Sequence, residues 1–253
     1  MNPILTEILA TNTTRDENGK TVQLHSSVHT EEIEFISSLI KKHQLSRAVE
    51  VGCAMGMSSL AIAEAIDGVD GSFHYIIDPF QKSQWNNTGI SNLKRAGFVN
   101  FRLIEDYSEF ALPSLAKEGV KVNFGFIDGW HTFDHTLIDF FYINRMLETG
   151  GVIVIDDVHM PAVNKVIRYL YNYPCYQFAG SVENENITSQ RKLFDNAAKV
   201  FSGLKYVTGK KVAAELYNPK LLRSDKELSL NSSMIAFKKV SVDERDWNWY
   251  ANF

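Results

Sequence analysis

The amino-acid sequence predicts an α/β fold whose core is a mostly parallel sheet covered by helices on both faces. Three observations carry this. Short apolar runs (Arg47–Val51, His74–Ile77, Val122–Ile127) end in glycine or aspartate and alternate with segments whose apolar residues recur at helical spacing. Val152-Ile153-Val154-Ile155 is an unbroken β-branched run, the pattern of a central strand buried on both faces. Between the first strand and the next helix lies a glycine-bearing turn, Gly52-Cys53-Ala54-Met55-Gly56. Strand–helix alternation of this kind implies right-handed crossovers between parallel strands.

In chain order, Ile4, Leu5, Ile8 and Leu9 predict a short amphipathic helix, followed by a polar tract, 11–20, that reads as loop. Thr30 is the expected N-cap of a helix to about Lys42 that buries Ile33, Ile36, Leu39 and Ile40. His25 and His29, just before it, read as solvated loop histidines, with a place at the site as the competing reading. After the first strand, Leu60, Ile62, Ala63 and Ile66 mark one helix face, with Ser58 and Ser59 near its start. The second strand ends in Asp78. A helix around 90–96 precedes the third strand, 99–104, which ends in Glu105-Asp106-Tyr107-Ser108. The fourth strand delivers Asp128, and a helix with Leu137, Phe140, Phe141, Ile143 and Met146 leads to the Gly150-Gly151 break. The fifth strand delivers Asp156 and Asp157 to the same sheet edge as Asp128. Further helices are expected over 162–171 and 190–201, and strands over 203–208 and 233–240. Residues 1–45 form an N-terminal cap or strap, and 46–253 form the main domain, with an insertion or lid at about 172–232. The tail Asp246–Phe253, rich in aromatics, is expected to dock on the domain or on a second copy of the chain.

A chain of 253 residues with a formal charge of −4 has no general basic surface for nucleic acid. It has no 18-residue apolar run and no basic–apolar leader, so a cytoplasmic protein without membrane partners is the default expectation. Two cysteines, Cys53 and Cys175, supply neither a thiolate metal cluster nor a disulfide framework.

The glycine turn defines the candidate ligand pocket, at the carboxyl end of a strand. Gly52, Ala54 and Gly56 allow close backbone approach, and Ser58 sits at the helix start. An acidic residue at Asp78 suits the two ribose hydroxyls of a nucleotide cofactor, a property that fits dinucleotide-binding folds equally well. Asp128, Asp156 and Asp157 are three carboxylates at adjacent strand ends without a basic partner nearby in sequence, a donor set for a hard divalent cation such as Mg²⁺. His131 and His159 are candidates for a general base or a further metal contact. The competing reading is that Asp128 completes an Asp-Gly turn and Asp156 caps the next one.

Glu50-Val51-Gly52-Cys53-Ala54-Met55-Gly56, then Asp78, then Ile127-Asp128-Gly129-x-His131, then Gly150–Asp157 resembles the class I S-adenosylmethionine-dependent methyltransferases. Within them it is similar to the metal-dependent small-molecule O-methyltransferases, the catechol O-methyltransferase-like group and its bacterial natural-product branch. The resemblance spans about 26–170 and departs from the family at Ala54, where many members carry a third glycine. It implies a three-layer Rossmann-like sandwich with a mostly parallel seven-stranded sheet and an antiparallel last strand. It also implies S-adenosylmethionine held by Glu50, Gly52, Ala54, Gly56, Ser58, Asp78 and Asp128, with the adenine near Asp106 and Tyr107. The metal ligands would be Asp128, Asp156 and Asp157, and His131, Asp128 or His159 would assist catalysis. The implied partner is a small hydroxylated substrate, and a homo-oligomer would form through the N-terminal segment or the aromatic tail. An NAD(P)-dependent oxidoreductase and a metal-independent methyltransferase are the alternatives.

Overall fold

A computed structural model describes residues 1–25, 28–183 and 223–251. The chain opens with helix α1 (Pro3–Thr11) and a hairpin of two three-residue strands, β1 (Thr13–Arg15), inside the tract expected to be loop, and β2 (Thr21–Gln23), just beyond it. Side chains rather than apolar alternation make this hairpin. The Asp16 carboxylate accepts the amides of Asn18 and Lys20 at 2.9 Å each, closing the turn. Buried Thr14 donates to the Asn92 side chain at 2.7 Å, which ties the hairpin to the domain.

Helix α2 (Thr30–His43) begins one residue earlier in its cap than expected. His29 is the N-cap, and Glu32 reaches back to accept its amide at 2.6 Å. Then follow β3 (Arg47–Val51), α3 (Met57–Ile66), β4 (Phe73–Ile77), α4 (Thr88–Arg95), β5 (Phe101–Ile104), α5 (Ser108–Lys117), β6 (Val122–Ile127), α6 (Phe133–Met146), β7 (Leu147–Ile155), α7 (Pro161–Leu170), β8 (Tyr176–Glu183) and β9 (Ser232–Lys239). The seven-stranded sheet has the order β5-β4-β3-β6-β7-β9-β8. β3 to β7 run parallel, and β9, last in the chain, runs antiparallel to both of its neighbours. The expected three-layer α/β fold is the observed one.

Two cores sit on opposite faces of this sheet, and the strand period of two decides which residue enters which. Ala48, Phe124, Phe126, Val152 and Val154 face α1–α4, while Val49, Val51, Ile127, Ile153 and Ile155 face α5–α7. The strand pairing with β9 is supplied by Tyr176–Glu183, inside the stretch that the sequence suggested as insertion. The helix expected at 190–201 and the strand expected at 203–208 lie outside the described residues. In the tail, Trp249 packs on Tyr169 and Tyr173, and the Arg245 guanidinium lies 3.4 Å from the Tyr173 ring centroid. Trp247 stays exposed. No helix among the described residues is long and apolar enough to cross a membrane.

Candidate active site

The parallel strands all finish at one edge, so the residues following them converge there: Gly52 after β3, Asp78 after β4, Tyr107 just beyond β5, Asp128 after β6 and Asp156 after β7. The chain order reverses direction about β3, which lies between β4 and β6, and a crevice opens at that switch point. It is a pocket of about 450 Å³ lined by Gly52, Ala54, Asp78, Trp85, Tyr107 and Asp128, among others.

The glycine turn is shaped by its own neighbours. Gly52 has φ +89°, and a Cβ there would lie 1.9 Å from the Asp128 carbonyl oxygen. Gly56, φ +83°, starts α3, and a Cβ on it would meet the Gly89 Cα at 2.7 Å. Ala54 takes φ +47°, a left-handed conformation that costs an L-residue about 1–2 kcal/mol. Ala54→Gly is therefore expected to stabilise the fold by about 0.5–1 kcal/mol, net of the extra chain entropy of glycine, as a rise of a few degrees in a thermal melt.

Asp78 clamps this turn. Its Oδ2 accepts from the Cys53 amide at 3.1 Å, the Ala54 amide at 2.8 Å and Gln81 Nε2 at 2.9 Å, while Oδ1 accepts, among the described residues, only the Phe80 amide, at 2.8 Å. A carboxylate oxygen has room for a second donor, so Oδ1 is the atom left for a ligand. Glu50 and Ser58, expected at the cofactor, do not line the pocket. Glu50 is fully buried behind the turn and accepts from Ser58 and Ser59 at 2.6 Å each, with His74 Nε2 at 3.1 Å. These contacts lock β3, α3 and β4 together. Cys53, buried beside Ser59, has its thiol pushed well above the usual range, chiefly by burial, and is not a reactive thiolate.

At the β5 end, Tyr107 lines the pocket and stacks edge-on against Phe80 at 5.9 Å. Asp106 is exposed and accepts the amide of Tyr107. The sequence reading gave no site role to Phe80, Ser108, Glu109, Trp130 or His135, which also line the wall. Trp130 does follow Asp128-Gly129 directly, and this placement was the available signal.

The acidic cluster stands next to the pocket and shares Asp128 with it. Ligand atoms of Asp128, His131 and Asp157 all lie within 4.8 Å of one another. His131 Nε2 is 3.1 Å from Asp157 Oδ2 and 3.8 Å from Asp128 Oδ1. His159 Nδ1 is 3.8 Å from Asp157 Oδ1. This group contains His131 where the sequence reading had Asp156, whose Oδ1 accepts the amide of Asp157 at 2.7 Å. Burial first, then the charges of Asp156, Asp157, Glu50 and Glu32, holds the Asp128 carboxyl well above the usual range. Asp156 is raised by burial, by Glu32 and by Asp157. Glu32, brought in from the start of α2, is thus a fourth carboxylate that no strand-end pattern could announce.

The seven-stranded sheet and the crevice at its switch point form a Rossmann-like α/β fold of the kind seen in solved methyltransferases. Residues 49–158 match the family described as methyltransferase domain. Among solved structures of similar fold is the O-methyltransferase TomG from Streptomyces achromogenes, involved in tomaymycin synthesis and solved with S-adenosylmethionine. It is 18% identical, with a TM-score of 0.58, over 73% of this chain and 84% of that one. An O-methyltransferase from Bacillus cereus in complex with S-adenosylhomocysteine is 17% identical, with a TM-score of 0.58, over 73% and 86%. An S-adenosylhomocysteine-bound methyltransferase from Podospora anserina is 17% identical, with a TM-score of 0.57, over 71% and 83%. No curated protein sequence matches the chain at a significant level.

Proposed function

We propose that the chain transfers a methyl group from S-adenosylmethionine to a hydroxyl of a small molecule, with Mg²⁺ or another divalent cation held at the acidic cluster. The observation that carries this reading is Asp128, which belongs to the pocket wall and to the cation-ligand group at once. The reading is supported by the cofactor and product bound in two structures of the same fold. The pocket is of the size that takes a nucleoside cofactor.

The cluster fits a cation by its chemistry. Its carboxylates crowd together in a partly buried place, and among the described residues their only ion-pair partners are His131 and His159. Such crowding is costly until a positive charge relieves it. Asp128, Asp157 and His131 would hold the ion, and Asp156 would add negative charge behind them. When bound, a divalent cation favours the deprotonated form of an acceptor hydroxyl and fixes its orientation. The rest falls to the chain. The Gly52–Gly56 turn and Asp78 hold the cofactor, Trp130 and Tyr107 flank it, and Asp128 sets the separation between the pocket and the acceptor. His159, half-exposed and 3.8 Å from Asp157 at the edge of the cluster, would take the acceptor proton.

A metal-independent methyltransferase is the second reading, favoured by the 3.1 Å contact between His131 and Asp157, the geometry of a carboxylate-oriented general base. The test is formation of S-adenosylhomocysteine from S-adenosylmethionine with a panel of catechols, phenols and hydroxylated sugars, before and after chelation. Loss of at least about a hundredfold on chelation, restored by Mg²⁺ or Mn²⁺, is expected. A rate indifferent to chelator would select the His131–Asp157 reading, and failure to bind S-adenosylmethionine would overturn both.

A further inference from the structure

Beneath the pocket floor lies a carboxyl that none of the chemistry above uses. Asp139, on the second turn of α6, is only 1% exposed. Neither of its oxygens has a well-formed hydrogen bond among the described residues, although Ser108 lies beside it and favours its ionised form. Its Oδ2 sits 3.5 Å from where a Cβ on Gly129, a pocket-lining residue, would be.

The charged and titratable groups facing Asp139 are His135, one turn earlier on α6, and Glu109 on α5. Ser108, Glu109 and His135 all line the pocket. Ser108 is also the first residue of α5, whose N-cap, Tyr107, makes no side-chain cap. That helix end therefore carries partial positive charge toward Asp139 with no capping side chain of its own. A buried, unsatisfied carboxylate is expensive, and one that persists against a ligand pocket calls for a role there.

We propose that Asp139 is a positioning residue for the nucleoside end of the pocket: its ionised carboxylate draws the Ser108 hydroxyl and the first turn of α5 against the floor, and this sets the affinity for the adenosyl group. The inference rests on the cofactor reading above. Burial holds the Asp139 carboxyl up at about 7, against the pull of Ser108 and His135 and with a further push from Glu109. Its anchoring form is therefore gained as the pH rises through neutrality. Cofactor affinity follows in the same direction, by the size of one hydrogen bond to an ionised group.

The test is calorimetric titration with S-adenosylhomocysteine between pH 6 and 8. Saturating Mg²⁺ is kept throughout so that the acidic cluster is held in one state. Wild-type affinity is expected to rise about tenfold over this range. Asp139→Asn is expected to be flat and as weak as wild type at pH 6. Ser108→Ala, at the half-buried start of α5, should also lose the pH step and serves if Asp139→Asn does not fold. His135→Gln should keep the step. A step that survives in both Asp139→Asn and Ser108→Ala, or that disappears only in His135→Gln, overturns the inference and leaves the cofactor reading intact. Absence of binding in wild type at every pH overturns the two together.

Discussion

Asp128→Asn is expected to slow methyl transfer about a thousandfold while raising the melting temperature of the cation-free protein. The loss corresponds to about 4 kcal/mol of transition-state stabilisation, the scale on which a metal ion acts on developing oxyanion charge. The gain has the opposite origin. Asp128 is held above the usual carboxylate range by burial and by four neighbouring carboxylates, so removing its charge relieves them all. Each kcal/mol so recovered is worth about 2–4 °C in a chain of this size. The pH dependence follows with a definite sign. A carboxyl whose folded pKa exceeds its unfolded value binds more protons when folded, so its contribution is present at acidic pH and lost as the pH rises. Asp128 and Asp156 both behave this way. Chelated protein should therefore melt progressively lower from pH 5 to 8, and saturating Mg²⁺ should flatten that slope. A melting temperature of the chelated protein that climbs over this range, or an Asp128→Asn protein as active as wild type, would contradict this assignment.

Gly52→Ala is expected to cost about 4 kcal/mol or more of stability and to abolish activity. Part of the cost, about 1–2 kcal/mol, is the left-handed backbone at φ +89°. The larger part is the 1.9 Å overlap of a Cβ with the Asp128 carbonyl oxygen, which cannot be relieved without moving the end of β6 away from β3. That movement carries Asp128 with it, and a displacement of about 1 Å at a catalytic group costs about a hundredfold by itself. Gly19 supplies the control. It has φ +78°, but a Cβ there has nothing within 4 Å. Gly19→Ala should therefore show the backbone cost alone, about 1–2 kcal/mol, with activity unchanged. Chemical denaturation and product formation on the two variants separate strain from collision, and equal losses in both would show that the contact between Gly52 and Asp128 is not what requires glycine.

The parallel core was legible from residues 30 to 170 because most strands there are short, mainly apolar runs and most helices carry apolar residues at helical spacing. Where side-chain contacts replace apolar pattern, sequence reading faltered. The β1–β2 hairpin depends on the Asp16 turn and the Thr14–Asn92 bond, and neither is a periodic signal. Tyr176–Glu183 was missed because an edge strand interrupted by a shift of register at Gly180 does not alternate cleanly. The convergence of Asp128, Asp156 and Asp157 was readable for a topological reason: parallel strands deliver whatever follows them to one edge. Asp128 and Asp157 thus meet as expected, whereas Glu32 and Asp139 arrive from helices whose orientation only the folded chain reveals. Glu50 and Ser58 show the converse, since they sit in a motif associated with cofactor binding yet are turned toward each other.

The most direct measurement is anomalous diffraction from crystals of the full chain grown with Mn²⁺ and S-adenosylhomocysteine. A single anomalous peak bounded by Asp128, His131 and Asp157, about 2.0–2.4 Å from the nearest carboxylate oxygens and beside the ligand sulfur, is the expected result. A bound ligand with no peak at that cluster, or a peak elsewhere on the chain, would contradict a cation-assisted methyl transfer at Asp128.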